Sequence, residues 1–339
     1  MVRGVFVVRR DPKSTPKIKL ELNVLNINAS TKTTNTQDAV GAMPPVGSRI
    51  GLIAGSGNLP LVFARAVLEQ SNANGKSGQY QLFIAAHEDE ASKDLEQYGE
   101  DLKWVKLGQF KKIIRYMLQK KVDWIAFAGG ITKTKIWKIR PDSLALSIAF
   151  SLGSLHDDQL LRAVAGKLEE HGFTIGSVTD FVPELLIPNG ALSLGAPDTQ
   201  QWKDICFGWK AAKELGRLDI GQGVVVKGGV VVSVEAMEGT DAMINRTGPL
   251  IKGSNTGWAN KGSAVLVKTA KPQQDNRLDL PTIGPRTIEN LHKAGIGVLA
   301  VEANATMILE PEATVHLADK YNIILIGCLE KDIQQVEKI

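Results

Sequence analysis

Cysteine and histidine are scarce: the 339 residues hold Cys206, Cys328 and five histidines, with no C-x-x-C spacing and no clustered His. A disulfide framework and a Cys/His zinc site are thereby excluded, and a reducing compartment fits. Long apolar runs are missing too. NIILIGCL, residues 322–329, falls far short of the roughly 18–20 residues a spanning helix needs, so the chain does not cross a membrane, although work at a membrane surface remains open to it. Charge of one sign is also lacking. The net charge is +4, and residues 1–48 account for all of it, with seven Lys/Arg against three acids. The rest is neutral and offers no basic face that could follow a phosphate backbone, which excludes nucleic acid as a partner.

Residues 1–48 have no apolar core of a secretory signal and end in GAMPPVGS. They read as a disordered extension; a loose tail, an organellar presequence and a start codon placed too early all fit. From residue 49 the pattern changes. RIGLIAG is a short apolar strand, LPLVFARAVLEQ has helical spacing, and YQLFIAAHE, WVKLGQ and VDWIAFAGG are further strands, with FKKIIRYMLQKK an amphipathic helix between the last two. This βαβα alternation predicts a parallel sheet. DSLALSIAFSL and DDQLLRAVAGKLEEHG follow as helices, FTIGSVTDFVPELL as a strand entering a turn, with a domain boundary between 175 and 190.

The second half predicts an α/β domain with a mixed sheet. WKDICFGWKAAKELGRL is a helix, and GQGVVVKGGVVVSVEAMEG is a hairpin about Lys227-Gly228-Gly229. SAVLVKTA, IGVLAVEAN, ATMIL and NIILIGC are strands, with a helix over PRTIENLHKAG between the first two and one over PEATVHLADKY between the last two. The domains expected are 49–180, Rossmann-like, and 181–335.

Two glycine turns end strands of the first domain: Gly55-Ser56-Gly57-Asn58 and Gly129-Gly130-Ile131-Thr132-Lys133. Backbone amides and a helix N-terminus at such turns favour an anion, which points to a nucleotide-like or phosphorylated ligand. A dinucleotide is poorly supported, because Pro60 stands where the G-x-G-x-x-G fingerprint has its third glycine and only Glu88, after His87, could serve as the ribose acid. A Ser56 nucleophile lacks the G-x-S-x-G elbow. The densest polar chemistry lies in EAMEGTDAM (235–243) and KTAKPQQDNRLDLPTIGP (268–285), which mix carboxylates with Lys and Arg after buried strands. That mixture suits a phosphate dianion held by cations, with carboxylates for a divalent metal or a water.

GLIAGSGNLPL, FAGGITK, HDDQLLRAV, GRLDIGQGVVV, EAMEGTDAM and KPQQDNRLDLPTIGP occur in this order. Over residues 49–329 the chain resembles the bacterial UDP-2,3-diacylglucosamine pyrophosphatases of the LpxI type. The resemblance implies hydrolysis of UDP-2,3-diacylglucosamine to UMP and 2,3-diacylglucosamine 1-phosphate (lipid X), a cytoplasmic step of lipid A biosynthesis. It also implies use of Mg²⁺ or Mn²⁺, a Rossmann-like N-terminal domain, a distinct C-terminal domain and a ligand between them. The substrate, the inner-membrane surface from which it is drawn and a second copy in a homodimer are the partners this reading admits.

The family's essential aspartate in R-x-D-L-P falls on Asp279, and Asp241 in EGTD is the second candidate. These two would bind metal or position water, while Lys268, Lys271 and Arg277 neutralise the pyrophosphate. Gln222 and Thr240 would give neutral hydrogen bonds. Gly55, Ser56, Gly57, Asn58, Gly129, Gly130, Thr132 and Lys133 would line the N-terminal wall, and Asp158 is either a helix cap or a further contact. Two other readings stand beside this one: an NAD(P)-dependent oxidoreductase, and a non-catalytic binder of a nucleotide-linked lipid.

Overall fold

Alternate residues of β1 (Arg49–Ala54) face different apolar clusters: Ile50, Leu52 and Ala54 one, Ile53 the other. A strand apolar on both sides belongs in the middle of a covered sheet. The computed structural model, which describes residues 43–72, 80–131, 141–152, 157–252 and 263–336, places it there. β1 pairs in parallel with β2 (Gln81–His87) and β4 (Trp124–Ala128), and β3 (Asp101–Val105) and β5 (Thr174–Ile175) complete the parallel order β3-β2-β1-β4-β5. α1 (Leu59–Asn72) covers one face through Phe63, Ala64 and Val67. The other face is covered by α2 (Phe110–Gln119), α3 (Ser143–Ser151) and α4 (Asp157–Glu170), through Ile113, Met117, Ile148, Val164 and Leu168.

A second sheet has the mixed order β6-β13-β11-β9-β7-β8. Its strands are β6 (Gly190–Ala191), β7 (Gly223–Lys227), β8 (Val230–Val234), β9 (Ala264–Lys268), β11 (Ile296–Glu302) and β13 (Ile324–Cys328). β10 (Thr282–Ile283) and β12 (Met307–Ile308) form a separate parallel pair. α5 (Thr199–Arg217) and α9 (Glu330–Val336) pack on one face of the six strands. α6 (Thr240–Lys252), α7 (Pro285–Ala294) and α8 (Pro311–Lys320) pack on the other.

The β7–β8 hairpin turns at Gly228 and Gly229, both at positive φ (59° and 80°), as a two-residue loop with right-handed twist requires. The α5 carboxylate of Asp204, almost fully buried, accepts both turn amides at 2.7 Å. Two helices lie outside the elements expected from the sequence. α6 carries Gly248 and Pro249, whose breaker signals hide its periodicity; α9 is only 7 residues long. The extension expected over 1–48 lies outside the described residues up to position 42.

β1 and β4 adjoin where the strand order reverses, the topological switch point at which open α/β sheets bind ligands. Their glycine turns are stitched together there: Ser56 N–H donates to Gly130 O (2.8 Å) and Gly130 N–H to Ser56 O (3.2 Å). An added Cβ at Gly55 would lie 2.4 Å from Gly130 O, and one at Gly129 2.4 Å from Ser56 O, whereas one at Gly57 would meet nothing within 4 Å. The expected order of cost follows. Gly55→Ala should lower unfolding free energy by about 3 kcal/mol through the backbone clash, and Gly57→Ala by about 1–2 kcal/mol through positive φ alone. Urea denaturation followed by circular dichroism checks this; equal effects would contradict it.

Candidate active site

A cleft of about 330 Å³ opens at the ends of β1 and β4 and is closed from the other side by the six-stranded half. Ser56, Gly57, Asn58, Gly129 and Gly130 form one wall; Gln222, Lys268, Arg277 and Asp279 form the opposite one; and Leu59, Phe127, Val178, Leu278, Leu280, Met307 and Leu309 add apolar surface. Gly55 stands behind its wall, where its amide donates to Ala128 O at 2.8 Å. Because Ser56 and Gly130 spend their amides on each other, the part of this wall suited to an anion is the N-terminus of α1, beginning at Asn58. Pro60 is buried in the first turn of that helix, where a missing N–H costs nothing, and its ring abuts Gly129. The Asn58 amide reaches across to Glu310 (3.2 Å), the N-cap of α8, which adopts the left-handed region with φ 47°.

Lys268 ends β9 and is buried, 6% exposed. Its ammonium donates to Thr240 Oγ1 (3.1 Å) and Thr282 O (3.2 Å), and the Thr240 hydroxyl donates to Glu235 Oε1 (2.9 Å). A cation and an anion, both buried, are thus joined through one hydroxyl. Glu235 is 7% exposed, and among the described residues nothing hydrogen-bonds its Oε2. The spacing Gly221-Gln222-Gly223 has a packing cause: a Cβ on Gly221 would lie 2.1 Å from Glu235 O, and one on Gly223 2.7 Å from Glu235 Oε2. Between those glycines Gln222 presents a side chain whose Oε1 is buried and also lacks a donor among the described residues.

Asp279 lies on the 271–281 loop and accepts from Gln274 Nε2 at 3.0 Å. The loop is pinned at both ends. Lys271 pairs with Asp219 (2.5 Å), and Gln273 donates to Gly216 O (2.6 Å), tying it to the end of α5. Arg277 pairs with Asp275 (2.7 Å) and reaches Glu169 of α4 (2.9 Å). These carboxylates push the Arg277 guanidinium further up, and Arg277 in turn holds the Asp275 carboxyl below the usual carboxylate range.

The residues singled out from the sequence therefore divide. Ser56, Gly57, Asn58, Gly129, Gly130, Gln222, Lys268, Arg277 and Asp279 come together around the cleft, and Thr240 stands one step behind Lys268. Lys271 is not among the lining residues, since its pairing with Asp219 turns it to α5. Asp241 is not among them either: in the first turn of α6 it accepts from Asn290 (2.9 Å) and pairs with Arg286 (3.0 Å), both on α7. Among the described residues no group of three or more His, Cys, Asp or Glu gathers as a ready metal cage. Thr132 and Lys133 lie outside the described residues, and the Asp158 side chain is not described. Glu235 opens the EAMEGTDAM cluster but had been given no individual role; its signal was a polar residue directly after a valine-rich strand, in step with Ser233 and opposite Gly223.

Comparison with known proteins matches both halves of the chain. Residues 49–185 match the LpxI N-terminal domain and residues 188–326 the LpxI C-terminal domain. A UDP-2,3-diacylglucosamine pyrophosphatase LpxI of Caulobacter vibrioides is 35% identical over 283 residues, which span 82% of this chain and 97% of that one. Among solved structures, an L-threonine dehydrogenase from Phytophthora infestans aligns over 39% of each chain at 14% identity, with a TM-score of 0.21 that carries no argument. With both halves matched in order and the relative aligned almost end to end, the chain belongs to the LpxI family.

Proposed function

We propose that the protein hydrolyses the pyrophosphate bond of UDP-2,3-diacylglucosamine, giving UMP and 2,3-diacylglucosamine 1-phosphate, at the cytoplasmic face of the inner membrane. The observation that carries this is the cleft at the switch point, with a helix N-terminus on one wall and a buried lysine and an aspartate on the other. Lys268 has three N–H donors, of which Thr240 and Thr282 take two. The third serves a phosphate oxygen, and because the ammonium is fixed before substrate arrives, it stabilises charge developing on the phosphate without reorganising. The buried Gln222 acceptor receives a hydroxyl or amide donor of the substrate, which meets its unmet hydrogen bond.

Asp279, oriented by Gln274, accepts a hydrogen bond from water and takes its proton as the water oxygen bonds to phosphorus and the bridging P–O bond breaks. The departing phosphate leaves with the electron pair of that bond. A single carboxylate beside substrate phosphates also fits the preference of Mg²⁺, which is usually held by one or two carboxylates plus phosphates and water. Asp279 would hold such an ion, or Mn²⁺, and the ion would supply charge neutralisation at the pyrophosphate. Asp241, held by Asn290 and Arg286, serves the α6–α7 contact in this reading.

Two outcomes are expected. Asp279→Asn should retain fold and substrate binding while kcat for UMP release falls about 100-fold or more, and EDTA should suppress the wild-type rate until Mg²⁺ or Mn²⁺ is restored. UMP release by chromatography reads both; undiminished turnover in Asp279→Asn would remove that residue from the chemistry. For the buried relay, Glu235→Ala should cost about 3 kcal/mol of stability by leaving the Lys268 ammonium without its anion. The double variant Glu235→Ala/Lys268→Met should then cost clearly less than the sum of its parts. Additive costs in a urea-denaturation cycle would show that the two groups are not coupled through Thr240.

A further inference from the structure

α2, α3 and α4 bury their inner faces in one apolar cluster against the same side of the five-stranded sheet, so their outer faces turn the same way. Two of those outer faces are unusual. α3 carries no charged residue, and its exposed positions fall at helical spacing: Ser143, Leu146, Ser147, Phe150 and Ser151, with Phe150 87% and Leu146 42% exposed. α2 exposes Lys111, Lys112 and Arg115 beside Leu118, which is 48% exposed. Residues 102–122 contain seven Lys/Arg and no Asp or Glu, within a stretch, residues 49–339, whose total net charge is zero. The two helices are fastened at their starts, since Lys111 N–H donates to Asp142 Oδ2 (2.7 Å) and Asp142 N–H to Gly108 O (3.0 Å).

We infer that the outer faces of α2 and α3 form a docking surface for an anionic lipid bilayer: the α2 cations meet headgroups, and Leu146 and Phe150 enter the interface. Charge complementarity selects this occupant, because a basic face without acids next to an uncharged apolar one matches an anionic surface over hydrocarbon. The location suits the lipid substrate, since Phe127 and Leu278 line the cleft and belong to the same cluster as Ile148 of α3. Only that advantage rests on the proposed function; the docking itself does not.

Flotation of the full chain with vesicles of phosphatidylcholine, with and without phosphatidylglycerol, tests it. Wild type should float with the anionic vesicles and less well in high salt. Leu146→Ser/Phe150→Ser and Lys111→Glu/Lys112→Glu/Arg115→Glu should each weaken flotation roughly tenfold, with thermal unfolding and UMP release from detergent-dispersed substrate unchanged. Wild type that stays with buffer, variants that float like wild type, or a Leu146→Ser/Phe150→Ser variant that becomes monomeric in ultracentrifugation while still floating would overturn it. Absence of UMP release from dispersed substrate in the wild type would count against the proposed reaction alone, because flotation reads the surface separately.

Discussion

A buried ammonium must be compensated where it sits, and Lys268 at the end of β9 imposes that requirement on everything near it. Its anion, Glu235, directly follows β8, two strands away, because β7 lies between them in the sheet. The connection is therefore made by Thr240 at the first turn of α6, which both accepts from the lysine and donates to the carboxylate. Space for Glu235 is left by Gly223 at the start of β7, beside the carboxylate, and by Gly221 before it, beside the Glu235 backbone. Four separate sequence features, GQG, the glutamate directly after a valine strand, the threonine opening a helix and the strand-end lysine, thus have one physical cause.

The three cations singled out for the site are unequal for the same kind of reason. Arg277 and Lys271 each close an ion pair that fixes the 271–281 loop, one to the α4 side and one to the end of α5. Asp279 follows the Arg277 anchor closely in the same loop, and Gln274, between the two anchored residues, sets the orientation of its carboxylate. An arginine already shared by two carboxylates is a weaker partner for phosphate than a lysine with an N–H to spare. In the proposed reaction Lys268 is accordingly the principal electrostatic contact, while Arg277 and Lys271 hold the loop that carries Asp279.

Much of this was legible in the sequence wherever one local rule dominates. β1 and β4 were readable because each is apolar on both faces and runs into glycine, and the hairpin because Gly228-Gly229 admits little but a two-residue turn. The gathering of Asp279 and Lys268 opposite Ser56 and Gly129 was reached through motif order, since nothing local relates residues two hundred positions apart. α6 was missed because Gly248, which lets α7 approach at Ala294, and Pro249 carry the signature of a loop. Asp241 stands off the cleft lining for a related reason: read as a loop acid it suits a ligand, but in the first turn of a helix its carboxylate meets Asn290 and Arg286 of the neighbouring helix.

The size of the cleft bears on how a lipid would use it. About 330 Å³ is at the lower end of the roughly 300–1,000 Å³ usual for small-molecule sites. A nucleotide diphosphate sugar with two acyl chains exceeds that space, so in the proposed reaction the polar portion occupies the cleft and the chains extend beyond it. Chains in water would expose all the apolar area that makes the substrate a lipid. They must therefore rest on protein or stay in the bilayer. The apolar side of the cleft, at Phe127 and Leu278, shares its packing with the helix that carries Leu146 and Phe150 outward. With the α2–α3 face docked on a bilayer as inferred above, the chains stay in the membrane and need no enclosure, which fits a cleft smaller than the proposed substrate.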